Sequence, residues 1–377
     1  MSELSDQLIT YCTNIHPSDD WHQTLLALQW HIPEIKAKVS PERDFPIGLR
    51  LSQQAALQLE GDKAQSRRFI NWMKQHNCFV PTLNGFSYGS FHQERIKEQV
   101  YLPDWRSPER VKYTISLANL LAEWLPPGLQ GSISTVPIGF KANLNWQDLP
   151  LIKRQLTSVL EHLIQLKNSR GKEIILALEP EPACFLETTE EVCRFFEVLA
   201  LPAELQAVIG ICYDCCHQAV EFEDPADSLK LLSDAGIRIA KVQVSSALSL
   251  LDPSPTLLDQ FDEPRYLHQV VIKARNGKIS RYLDLSVAQA EHVRVSGDEW
   301  RCHFHVPIFI DQMSEYRTTR SFLEKILPLL AKSQLLEVET YTWDVLPAEL
   351  RTGSVSDSIV RELKWLESRL CETMRCH

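Results

Sequence analysis

Residues 173–182 read EIILALEPEP, and how this stretch is read decides the fold. It is an apolar run of strand length that ends abruptly in Glu179 and Glu181 and leads into the helical pattern TTEEVCRFFEVLA. A short continuous apolar run bounded in this way reads as a strand buried on both faces, as in a parallel sheet. Carboxylates at the end of such a strand are costly to bury alone, so they call for a partner.

The same unit recurs along the chain. Runs of this kind lie at 8–14, 45–52, 78–85, 132–139, 173–182, 208–214, 237–246 and 335–343. Between them stand amphipathic patterns, several opened by helix-start residues: Ser107 before Pro108, Thr188 before Glu191, and Asp224 before Pro225. Eight strands alternating with eight helices predict a (β/α)8 TIM barrel, a single domain over residues 1–377. One interval breaks the rhythm, an insertion at about 250–310 between strands seven and eight. Inside it HQVVIKARNGKISRYLDLS carries Asn276-Gly277 between two strand-like arms, which predicts a β-hairpin. A further strand-like piece, WRCHFHVPIF at 300–309, follows. An excursion after strand seven lies on the C-terminal face of a barrel, where it walls or covers an active site.

Composition narrows the function. The chain has 377 residues, 44% of them hydrophobic, enough for a large core, and a formal net charge of −10. An acidic chain without a basic stripe is not built for nucleic acid, whose binding draws on clustered Lys and Arg. No signal sequence or long apolar segment is evident, so the expected location is cytoplasmic and no membrane segment is expected. The ten cysteines are scattered through strand and helix patterns and read as reduced.

In a barrel, residues at the C-terminal ends of the strands converge on the mouth. That list comprises Asn14 and His16, Arg50, Asn84, Thr135, Glu179 and Glu181, Asp214 and His217, Gln243 and Glu339, with His303 and His305 on alternate residues of the insertion. Carboxylates with imidazole and amide groups suit Mn, Mg, Co or Zn. In GICYDCCH (210–217), Asp214 and His217 are the mouth residues, whereas Cys212, Cys215 and Cys216 read as small packing residues. Structural zinc would need a second pair of ligands, for which the tail CETMRCH is a weak candidate. Arg50 and Lys141 are candidates to hold an anionic group of a substrate. Gln243, Asn84, His303 and His16 are candidates for substrate contacts or supporting hydrogen bonds. Trp21, Trp30, Trp72 and Trp124 fall in helical patterns and are expected in the core, while NGFSYGSFH (84–92) could wall a pocket.

Taken together, LALEPEP, YDCCH, VQVSS, HFHVP and EVET resemble the xylose isomerase-like TIM-barrel superfamily, over roughly the whole chain. The superfamily includes sugar and sugar-phosphate isomerases and epimerases and the endonuclease IV type of phosphodiesterase. With TYCTNIHP (10–17), NGFSYGSFH and LEVETYTW the chain is similar in particular to the EboE family of bacterial metabolite-traffic proteins. The resemblance implies a divalent metal held by Glu179, Asp214 and Glu339, with Glu179 and Glu339 doubling as the acid/base pair. The ligand usual on strand seven is His, but this chain has Gln243, so the fourth ligand is the Gln243 amide oxygen, His305 or His217. The implied partner is a sugar-like or cyclitol-like metabolite that is isomerised or epimerised. The alternatives are an endonuclease IV-like phosphodiesterase with more than one metal ion, and a barrel that binds a metabolite without turnover.

Overall fold

Apolar runs flanked by helix caps fold into strands β1 (Ile9–Tyr11), β2 (Phe45–Arg50), β3 (Cys78–Asn84), β4 (Gly131–Thr135), β5 (Ile174–Leu178), β6 (Ile209–Asp214) and β7 (Ile239–Val244). The computed structural model describes residues 7–92, 96–313, 315–351 and 353–375. After β7 the chain leaves the barrel to form β8 (Ser246–Leu251), β9 (Val270–Lys273), β10 (Ile279–Tyr282), β11 (Glu299–Val306), β12 (Gln312–Met313) and β13 (Tyr316–Thr318), and it returns as β14 (Leu336–Val338). The parallel sheet runs β1-β14-β7-β6-β5-β4-β3-β2, with one further parallel bridge from Cys12 to Gly48 joining its two ends into a nearly closed barrel. All eight runs read from the sequence are barrel strands. The predicted caps form too: Ser107, Thr188 and Asp224 accept from backbone N–H groups in the first turns of their helices, Thr188 in a full capping box with Glu191.

The β1–β2 seam shows how closure is achieved with little ladder. Pro46 has no N–H to donate, so the Thr10 hydroxyl donates to the Pro46 carbonyl at 2.6 Å and accepts from the Gly48 N–H at 3.1 Å. Gly48 is required there. A Cβ on it would sit 1.8 Å from Glu337 Oε1 and 2.7 Å from the Tyr11 carbonyl oxygen. Gly48→Ala is therefore expected to cost about 1–3 kcal/mol by overpacking, read as a lowered urea midpoint with an unchanged slope.

The insertion holds more than a hairpin. The arms around Asn276-Gly277 do pair, as β9 and β10, with Gly277 at φ +85° in the turn. They belong to a six-stranded antiparallel sheet, β10-β9-β11-β8-β13-β12. This sheet has its own apolar cluster, including Leu248, Phe261, Trp300 and Phe304. Its middle strand β11 carries His303 and His305, and its register against β8 shifts between Cys302 and His305.

Trp21, Trp72 and Trp124 are buried as expected, but Trp30 is 75% exposed, because it lies on the outer face of its helix, away from the buried Leu28, Ile32 and Ile35. The nine described cysteines are free, and Cys212, Cys215 and Cys216 are buried packing residues. Cys376 and His377 of the tail lie outside the described residues. Among the described residues no helix is long and apolar enough to cross a membrane.

Candidate active site

The parallel register sets the polar strand ends level with one another: Arg50 lies opposite Asn84, and Asp214 opposite Gln243. Just beyond these positions, Glu179 follows β5 and Glu339 follows β14, both buried. Oxygens of Glu179, Asp214 and Glu339 come within 4.8 Å of one another. Three carboxylates this close and this buried repel unless protons or a cation lie among them.

Each is held by neutral donors. Gln243 Nε2 donates to Glu179 Oε1 at 3.0 Å, while Asn14 Nδ2 and Asn84 Nδ2 donate to Glu339 Oε1 at 2.7 and 3.2 Å. Asp214 caps the helix Cys215–Val220, so its Oδ1 accepts from the His217 N–H at 3.0 Å and from Ser245 Oγ at 2.7 Å. Glu179 Oε2, Asp214 Oδ2 and Gln243 Oε1 have no protein partner among the described residues. Burial pushes the Glu179 carboxyl up to about 7. Burial, with Glu179 and Asp214 beside it, holds Glu339 well above the usual carboxylate range. Burial acts on Asp214 in the same direction, but His217, His305 and the Ser245 hydrogen bond outweigh it and keep Asp214 below its ordinary value.

A second cluster adjoins the first. His217 Nδ1 donates to the Pro180 carbonyl at 2.8 Å and His305 Nδ1 to the Glu339 carbonyl at 2.8 Å, since a carbonyl only accepts. Gln269 Nε2 donates to the Pro182 carbonyl at 2.9 Å, which fixes its amide so that Oε1 faces His303 Nδ1 at 2.7 Å and accepts from it. All three rings therefore carry their proton on Nδ1 and present a bare Nε2. These nitrogens converge, His303 Nε2 lying 3.1 Å from that of His217 and 3.3 Å from that of His305. Three lone pairs meeting in a buried space form a cation site, either for a proton on His217, which the nearby carboxylates favour over the opposing effect of burial, or for a metal ion. Glu181 completes the wall, accepting from Tyr101 Oη at 2.7 Å, and its oxygen joins His217 and His303 in one possible ligand group. Asp214, His217 and His305 form another. Cys216 lies within the same reach of His303 and His305, but burial keeps its thiol protonated and a poor ligand.

The structure thus gathers Glu179, Asp214, Glu339, His217, His303, His305, Gln243 and Asn84 at the mouth. Three candidates lie elsewhere. Arg50 is buried and spends its guanidinium on Ser87 Oγ and the Ser18 and Gly89 carbonyls. Lys141 pairs with Glu187 and Glu191. His16 bonds Tyr11 Oη at 3.0 Å and stacks on His31. Glu181, already among the strand-end residues, joins the site, and Ser245, Gln269 and Tyr101 emerge as further members. Glu181 and Ser245 were visible in LEPEP and VQVSS, but nothing local marks Tyr101 or Gln269.

A pocket, partly open to solvent, leads down to these groups, with Glu179, Glu181, His217, His303 and Glu339 on its floor.

No family model matches the chain, and no curated protein does. Among solved structures it is similar to a xylose isomerase-like TIM-barrel protein from Mycobacterium smegmatis in complex with magnesium, at 10% identity and a TM-score of 0.56, with 99% of each chain covered. It is similar to an L-ribulose 3-epimerase, at 10% identity and a TM-score of 0.53, covering 98% of this chain and 96% of that one. A third is an IolI protein with a bound zinc atom, at 14% identity and a TM-score of 0.50, covering 97% and 99%. Eight parallel strands in this order, with these neighbours, give the chain the xylose isomerase-like TIM-barrel fold.

Proposed function

We propose that the protein is a divalent-metal-dependent isomerase or epimerase of a sugar-like or cyclitol-like metabolite, of the EboE type. The observation that carries this reading is the group of three buried carboxylates, drawn from three strand ends to within 4.8 Å, at the floor of an open pocket. The unpartnered oxygens of Glu179, Asp214 and Gln243 make the donor set fit a hard or borderline ion such as Mn, Zn, Co or Mg. Glu179, Asp214 and Glu339 would hold it, with His305, His217 or the Gln243 oxygen as the further ligand. Bound there, the ion supplies Lewis-acid polarisation of a carbonyl and its neighbouring hydroxyl.

The chain's own groups move the proton. One carboxylate of the Glu179/Glu339 pair takes the hydrogen from the carbon next to the carbonyl as a proton, leaving an enediolate. The other, as a carboxylic acid, returns a proton to the opposite face for epimerisation, or to the neighbouring carbon for isomerisation. Asn14 and Asn84 hold Glu339 in place, and Gln243 holds Glu179. The L-ribulose 3-epimerase of similar fold supports a sugar-like substrate.

The three converging imidazoles favour a second reading, a phosphodiesterase with more than one metal ion. The net charge of −10 and the internal pairing of Arg50 and Lys141 weigh against it.

Elemental analysis of the wild type beside Asp214→Ala and Glu339→Ala separates these readings. About one equivalent of metal, lost in both variants, is expected. Two or more would favour the phosphodiesterase layout, and none after incubation with divalent ions would leave a barrel that binds without reacting. The pH dependence supplies a second test. Because Glu179 is raised to about 7, its own contribution to the stability of the metal-free fold is present below about pH 4.3 and is lost as pH rises through about 7. A metal ion displaces the Glu179 proton, so added metal should raise Tm more at pH 8 than at pH 5.5.

A further inference from the structure

We infer that the substrate is uncharged and amphipathic, a hydroxy-ketone or hydroxy-aldehyde head with an apolar substituent at its far end, and not a sugar phosphate. This deepens the reading above and rests on it for the head group. The argument comes from the upper half of the pocket, above the carboxylate floor.

The floor offers hydrogen-bonding groups in abundance, from Asn14, Asn84, Glu179, Glu181 and Glu339. The walls do not. Phe86, Phe91, Ile96, Val100 and Leu267 line them and have no polar side-chain atom. The phenols are already engaged inside the protein: Tyr101 Oη with Glu181, and Tyr266 Oη with His92 Nδ1 at 3.0 Å. Tyr341 Oη points back to His303 Nε2 at 3.4 Å. What these residues leave for a ligand is ring surface, and Phe91, Tyr266 and Tyr341 form one aromatic patch with centroids 5.1 to 5.4 Å apart. A polyol reaching into this region would lose water without gaining partners, whereas an apolar group would gain by leaving water.

Charge points the same way. Among the described residues lining the pocket above its floor, Lys97 is the cation, and it is paired with Asp284. Arg50, behind Phe91, has its donors committed to Ser87, Ser18 and Gly89. Arg265 lies over the Tyr266 ring but is not among the lining residues. A phosphate beyond the reach of the floor would need a bidentate or clustered cation, and these walls supply none.

The test is binding by calorimetry to the metal-loaded protein, with triplets that differ only at C6: a ketohexose, its 6-O-benzyl ether and its 6-phosphate. D-fructose, D-psicose, D-tagatose and L-sorbose supply the heads. For at least one head, the benzyl ether is expected to bind about ten-fold or more tighter than the parent, and the phosphate no tighter than the parent. Phe91→Ala and Leu267→Ser, both far from the carboxylates in sequence and role, should remove the benzyl preference while leaving the metal content unchanged. A phosphate that binds tighter than both other members would overturn the inference. So would benzyl ethers with no advantage, or with no binding for any head at millimolar concentration. Absence of metal or of turnover bears on the proposed function instead, so the two failures are distinguishable.

Discussion

Glu339→Gln is expected to lower epimerisation of an identified substrate by about 10²- to 10⁴-fold, the range that a positioned acid or base contributes. The variant should stay folded. Its carbonyl oxygen can accept from Asn14 and Asn84 as Glu339 Oε1 does, at 2.7 and 3.2 Å. Its amide meets Glu179 and Asp214 as a donor where the native side chain meets them as a third carboxylate. In the metal-free state the substitution removes a group whose charged form burial and its two acidic neighbours disfavour. Stability at pH 8 without metal should therefore rise while activity falls, the signature of a site built for chemistry at the expense of the fold. Exchange in D2O divides the two carboxylates further. With one of the pair disabled, exchange of one epimer's hydrogen through the remaining carboxylate should be slowed less than epimerisation. Full turnover in the variant would remove Glu339 from the mechanism.

That such a site can be listed before a structure is seen follows from barrel geometry. Every strand delivers its last residues to one mouth, so Glu179, Asp214, Gln243 and Glu339 could be grouped by their position at strand ends alone. The same rule overreached at Arg50, which ends β2 and lies level with Asn84, yet turns its guanidinium toward loop carbonyls of Ser18 and Gly89. Strand position fixes where a side chain starts, not where a long one ends. The second sheet was only partly legible. Asn276-Gly277 marked the β9–β10 hairpin because its turn chemistry is local. By contrast β8 follows β7 after a single residue, Ser245, so the two merge into one apolar run on reading, and β12 and β13 are too short to carry a pattern. Tyr101 and Gln269 were out of reach for another reason. Their hydrogen bond spans 168 residues of chain and joins the insertion to the loop after β3, and no local spacing encodes such a pairing.

Lys241→Met should destabilise the protein by about 3–5 kcal/mol, the cost of stripping one partner from a buried ion pair. Lys241 and Glu337 are both fully buried and bonded to each other inside the barrel, below the mouth. Glu337 and Glu339 are alternate residues at the end of β14, and the structure separates their roles: one is neutralised by a lysine from the neighbouring strand, the other is left to the site. Glu337 occupies the space that Gly48 vacates, and its Oε1 has no partner among the described residues. Without Lys241 it would be an uncompensated buried charge. The double variant Lys241→Met/Glu337→Leu should recover most of the loss, since removing both charges removes the desolvation cost together with the attraction. The pair also bears on the site above it. Lys241 offsets part of the burial effect at both Glu179 and Glu339, so its removal alone should raise both carboxyls further and move metal binding to higher pH, whereas in the double variant Glu339 is also relieved of the Glu337 charge, which raises it more than Lys241 lowers it. Urea unfolding reads the first effect, and metal titration between pH 6 and 9 reads the second. Metal binding unmoved in Lys241→Met, beside a double variant as stable as the wild type, would confine the ion pair to a structural role and remove its influence on the mouth.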